Sequence, residues 1–134
     1  MVELGFLMTA PDILFGVSSL KELLYAAADE GNNVVVIHTT GQPAYLEMTE
    51  NLICGLSKTD MAGVVIFAFD TATYSHFHGR FPVTLAVAPG RNVDHDIIFE
   101  KRPEIIATVI RFGFNALFLD CDIAILSNRA SLGY

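Results

Sequence analysis

A doubly wound α/β fold on a mostly parallel sheet is what this sequence predicts, and three observations predict it. Short apolar runs at 34–37, 64–69 and 116–119, the first of them wholly β-branched, read as strands covered on both faces. Segments with apolar residues at helical spacing stand between those runs. Each run also closes on small polar residues, Thr39 and Thr40, then Asp70, then Asp120 and Asp122. In a parallel sheet with right-handed crossovers, such strand ends share the edge where ligands gather.

Taken in order, Ser18 and Ser19 precede Leu20, Leu23, Leu24 and Ala27, with Glu22 early in the run. That pattern predicts an N-capped amphipathic helix extending to Gly31 and Asn32. Residues 34–37 form the first strand and close in His38-Thr39-Thr40. After Gly41-Gln42-Pro43, the residues Tyr45, Met48, Leu52, Ile53 and Leu56 predict a helix, and the run at 64–69 is the second strand. A His-rich polar loop then leads to a shorter strand candidate at 83–87, and Pro89-Gly90-Arg91-Asn92 marks a turn. The stripe Ile97, Ile98, Ile105, Ile106, Val109 and Ile110 predicts a helix that Pro103 kinks or restarts and Gly113 stops. A last buried strand at 116–119 runs into Asp120.

Length and composition bound the function. At 134 residues and 52% hydrophobic content the chain suits one domain with a core of its own. A formal charge of −7 with only 8 Lys plus Arg leaves no basic surface to neutralise a phosphate backbone, so no nucleic-acid partner is expected. No apolar stretch reaches the roughly 18 residues of a membrane span, because Arg111, Asp120 and Asp122 interrupt the longest candidate. The first residues carry Glu3 and Asp12 and lack a basic start, so they do not read as an export signal. Cys54 and Cys121 fall in a helix and a strand, where packed free thiols are expected. There is no internal repeat, no glycine-rich dinucleotide fingerprint and no P-loop.

Asp120 and Asp122 carry the strongest chemical signal. Two carboxylates one residue apart, just past an apolar strand, can share one hard cation through oxygen ligands. The bland reading is a pair of solvated turn residues, since Asp-x-Asp is short and common. Against it, Leu117-Phe118-Leu119 before the pair and Ile123-Ala124-Ile125-Leu126 after it imply an apolar setting that is costly for unpaired carboxylates. Asp70 can accept from a base or ribose hydroxyl, or simply start a turn. Thr39 and Thr40 can contact a nucleotide, or serve as β-branched strand residues. Lys101 can meet a phosphate as a point charge, or lie on a solvated helix face. His76 and His78 have metal-ligand spacing, yet nothing nearby completes a set, so surface histidines are expected. Cys121 reads as packed rather than nucleophilic.

The ordered set Leu23-Leu24-Tyr25-Ala26-Ala27, Val34-Val35-Val36-Ile37-His38-Thr39-Thr40, Tyr45-Leu46 with Asn51, Val65-Ile66-Phe67-Ala68-Phe69-Asp70, Lys101 with Pro103, and Gly113-Phe114-Asn115-Ala116-Leu117-Phe118-Leu119-Asp120-Cys121-Asp122 resembles the nucleotide-diphospho-sugar transferase family. That family has the GT-A fold and includes plant and algal arabinosyl- and xylosyl-type transferases. The resemblance implies a Rossmann-like half of a GT-A fold, binding a nucleotide-sugar donor, UDP-linked by expectation. It implies that Thr39, Thr40 and Asp70 line the nucleotide pocket and that Lys101 and Asp120 lie at the donor phosphates. Asp120 and Asp122 would hold Mn2+ or Mg2+, and the setting would be the Golgi or secretory membrane. The chain stops soon after the acid pair, whereas family members continue through the acceptor-binding half. The expectation is therefore a single truncated domain over 1–134, with the glycan or glycoprotein acceptor unspecified. The family's usual Trp after the first strand is absent, and Ile53 takes that place.

Two other classes compete. The segment Leu117-Phe118-Leu119-Asp120-Cys121-Asp122 also resembles the nucleophile strand of haloacid-dehalogenase-type phosphatases. That strand normally opens its domain and is followed closely by Thr, where this chain has Ala124-Ile125. The third reading is a non-catalytic α/β binding module.

Overall fold

The structure is a computed structural model that describes residues 17–60, 63–86 and 95–122. The element order is α1 (Val17–Ala27), β1 (Asn33–Thr39), α2 (Pro43–Leu56), β2 (Val64–Ala68), α3 (Thr71–Phe77), β3 (Val83–Leu85), α4 (His95–Arg111) and β4 (Asn115–Asp120). All paired strands are parallel, in the order β3-β2-β1-β4. The chain therefore steps outward from β1 to β2 to β3, then returns across the sheet to place β4 on the other side of β1. Helices on both faces of this all-parallel sheet make it a doubly wound α/β fold, as the alternating runs predicted.

The period-two alternation of β1 explains how both faces are filled. Val34 and Val36 point to one face with Val65 and Phe67, where Leu20 and Leu24 of α1 and Ile105 and Val109 of α4 cover them. Val35 and Ile37 point to the other with Ile66 and Ala68, under Leu52, Ile53 and Leu56 of α2 and Phe77 of α3. A chain that reverses direction in the sheet must send its crossover over the opposite face to keep the same hand. The position of α4 opposite α2 and α3 fits that requirement.

Several local expectations are corrected. Helix α1 takes in Ser18 and Ser19 rather than starting after them, and it ends at Ala27, short of Gly31 and Asn32. The Asp29 carboxylate there accepts from the N–H groups of Gly31 and Asn33, and Asn32 adopts φ 61, so a side-chain-stapled turn leads into β1. The His-rich segment is mostly the helix α3, not a loop. Pro103 lies inside the continuous helix α4, which neither breaks nor restarts there; Gly113 follows its end at φ 95, a backbone geometry glycine adopts without strain. Strand β4 is not buried: among the described residues it is the edge of the sheet, and Leu117 is 44% exposed. Cys54 is exposed on α2 rather than packed. No described helix is long and apolar enough to cross a membrane. The turn expected at Pro89-Gly90-Arg91-Asn92, the end of the strand expected to reach 87, the apolar residues after Asp122 and the N-terminal export reading lie outside the described residues.

Candidate functional site

The order in which strands are added to the sheet reverses between β1 and β4, and the carboxyl ends of these neighbouring parallel strands are where a doubly wound sheet binds ligands. A cleft of about 280 Å3 lies there, lined by His38, Thr39, Thr40, Tyr45, Met48, Ile98, Asp120, Cys121 and Asp122. The volume stands near the lower end of ligand pockets, about 300–1,000 Å3. Two larger clefts exist: one of about 350 Å3 at the opposite ends of β1 and β4, and one of about 580 Å3 beside β3. Size does not choose among them. The smaller cleft sits at the switch point, and it holds His38 Nε2 and Thr40 Oγ1, buried side-chain atoms that lack a hydrogen-bond partner. Buried polar atoms without partners are costly, and an unpartnered atom in a cleft is a place for a ligand donor or acceptor.

Parallel pairing sets the geometry of this cleft. The register matches His38 to Asp120, so both side chains leave the sheet on the face that α4 covers. His38 Nε2 lies 3.6 Å from Asp120 Oδ1, which is ion-pair reach and too long for a hydrogen bond. Arg102 of α4 closes the group by donating from Nη2 to the same Oδ1 at 3.1 Å. Its guanidinium also lies over the Phe118 ring, 5.5 Å from the centroid, and Phe118 in turn packs on His38. Burial holds the His38 imidazole below its ordinary value, and the Arg102 charge pushes the same way, outweighing the attraction of Asp120. His38 thus favours the neutral form, in which one ring nitrogen accepts.

Asp120 is 51% exposed on its side chain and Asp122 is exposed, so among the described residues Leu117-Phe118-Leu119 do not enclose the pair in an apolar setting. Carboxylates this exposed stay solvated, and burial does not call for a cation beside them. What the fold supplies instead is convergence: both acids share a cleft with Thr39 and Thr40. Two carboxylates lining one cleft with His38 Nε2 and Thr40 Oγ1 are oxygen and nitrogen donors of the type divalent cations take, so the donor types, though no closed ligand set, fit such an ion. No group of three or more His, Cys, Asp or Glu side chains poised around one metal position occurs among the described residues.

Asp70 stands at the end of β2, outside this cleft, and both of its oxygens are engaged. Oδ1 accepts from the Thr73 N–H at 2.8 Å and the Thr73 hydroxyl at 2.6 Å, capping α3. Oδ2 accepts from the Gly41 N–H at 2.8 Å, which fastens the loop that follows Thr40. Gly41 approaches so closely that a Cβ there would stand 2.7 Å from the Ala72 Cβ.

Lys101 is buried, 3% exposed, with Nζ 3.0 Å from Glu104 Oε2, in place of the solvated helix face that a lone Lys suggests. Arg102 is its neighbour, about 100° further round a helix of 3.6 residues per turn, and it is Arg102 that meets Asp120. Sequence reasoning missed Arg102. It also used Tyr45, Met48 and Ile98 only as helix-face residues, whereas they form the aromatic and aliphatic walls of the cleft. Ile98 lies four residues before Arg102, and that spacing on α4 was the available signal.

Cys121 is half-buried, and burial pushes its thiol up, with the Thr49 and Thr39 hydroxyls beside it. A thiol so disposed is a poor nucleophile, in line with a packing role. His76 pairs with Glu50 at 3.2 Å, and His78 stacks on Tyr74 at 4.9 Å. The chain matches no family model, no curated protein and no solved structure in comparisons with each.

Proposed function

We propose that this chain binds a nucleotide-sugar donor at the β1–β4 switch point and contributes the donor half of a metal-dependent, GT-A-type glycosyltransferase. The observation that carries the reading is the meeting of Asp120 and Asp122 with Thr39 and Thr40 in one cleft outside a parallel sheet. In this assignment Asp120 and Asp122 hold a divalent cation, Mn2+ or Mg2+. When bound, such an ion supplies Lewis acidity against the charge growing on a departing diphosphate.

The chain's own groups do the rest. Tyr45 offers an aromatic face to the base, with Met48 and Ile98 as apolar walls. Thr39 is buried and Thr40 half-buried, and their hydroxyls suit a base edge, a ribose or a phosphate oxygen. The N-terminus of α2 opens immediately after Thr40-Gly41-Gln42, so its positive dipole end favours an anion on this side. Asp70 acts on the site through Gly41, by fixing the loop in which Thr40 sits.

Titration calorimetry with UDP, with and without Mn2+, tests the reading. Binding that requires Mn2+ and is lost in Asp122→Ala supports it. Metal-independent binding, no binding, or phosphatase turnover that leaves Asp120 phosphorylated overturns it.

A further inference from the structure

We infer that Arg102 is a two-position residue: it occupies Asp120 in the ligand-free chain and turns to the anionic part of the donor once Asp120 is given over to a divalent cation. The inference rests on the donor-site reading above and adds a specificity-determining group to it. Asp120 Oδ1 lies 3.6 Å from His38 Nε2, and Arg102 Nη2 already holds it at 3.1 Å. A guanidinium there is a built-in competitor, because its positive charge repels a divalent cation brought to the same carboxylate oxygen.

The displaced side chain has a place to go. Arg102 lies one helical turn beyond Ile98, which lines the cleft, so both residues share the face of α4 turned to it. Its side chain is 34% exposed rather than locked in the core, and its contact with the half-buried Phe118 ring is one that a rotamer change can release. A planar guanidinium matches phosphate oxygens two at a time, which a lysine at the same position does not. Lys101, the other base on this stretch of helix, is buried against Glu104. Arg102 is in direct contact with Asp120, a residue of the cleft.

The two positions predict effects of opposite sign. In the full chain, Arg102→Gln should bind Mn2+ alone more tightly, by about five-fold, since nothing competes for Asp120. The same variant should bind UDP at saturating Mn2+ more weakly, by about ten-fold, since the phosphate partner is gone. Loss of the free Mn2+ paramagnetic resonance signal reads the first, and calorimetry reads the second. Arg102→Lys keeps the charge without the fork and should shift both values the same way by less; it serves as the test should Arg102→Gln melt early.

If wild type binds both Mn2+ and UDP and the variants leave both unchanged, or weaken both together, the role of Arg102 is overturned and the donor site stands. If wild type binds neither, the donor-site reading falls and this inference falls with it.

Discussion

His38 links the stability of the fold to pH at the very place where the candidate site lies. Its imidazole is held below the ordinary value of 6.5, first by burial and second by the Arg102 charge. The unfolded chain takes up that proton near 6.5, so between this value and the lowered folded one the unfolded state binds more protons. The contribution is therefore complete above about 6.5 and is lost as pH falls from there through the folded value. The expected outcome is a melting temperature that drops between pH 7.5 and 5, with a shallower drop in His38→Leu. Circular dichroism melts across that range check it. A slope unchanged in the variant would remove His38 as the source. Glu50, lowered chiefly by its hydrogen bond to Arg80, acts only in more acid solution, because its ordinary value is 4.5.

Asp70 gives the second residue-scale prediction. One carboxylate caps α3 and holds Gly41, so Asp70→Ala should cost about 1–3 kcal/mol in urea unfolding, through a lost cap and an unpaired amide. Asp70→Asn has one oxygen for two jobs and should cost about half as much. A cost near zero for Asp70→Asn would mean that only one of the bonds matters, and costs equal to Asp70→Ala that the amide oxygen restores neither.

At the scale of elements, α4 carries a proline in its interior, which removes one ladder bond and crowds the preceding turn. Pro103→Ala should therefore stabilise the chain by about 1–2 kcal/mol, the repaired helix bond outweighing the entropy regained by the unfolded chain. A denaturant midpoint that falls would show that the proline is tied to a contact the alanine cannot make. Elements also show how far the sequence could be read. The runs at 34–37 and 64–69 and the stripes of α2 and α4 have clear periods, and each became the expected element. Helix α3 has no stripe: Thr71, Thr73 and Ser75 are β-branched or small polar residues, and Asp70 reads equally as a turn or as a cap. Strand β4 was legible as a strand but not as an edge, since an apolar run carries no information about which neighbours a strand will have. The same blindness hid Arg102, which meets Asp120 only after β4 has paired with β1 beneath α4.

For the whole molecule, the order β3-β2-β1-β4 makes protection uneven. Among the described residues the central strands β1 and β2 pair on both sides, whereas β4 is bonded on one side and its residues are half-exposed or exposed. Hydrogen exchange should be slowest at Val36, Ile37 and Ile66 and markedly faster at the outward amides of β4. Uniform protection across the four strands would contradict this arrangement.

The pairing of His38 with Asp120 also fixes when the cleft can come into being. During vectorial synthesis Thr39 and Thr40 leave the ribosome early, and β1, α2 and β2 can condense around local contacts while the other wall is still unmade. The wall bearing Asp120 arrives only with the last described strand, by a long-range closure of the slow kind. A nascent chain arrested after β3 would thus contain the threonines, the tyrosine and a sheet, yet offer no pocket for a ligand to recognise.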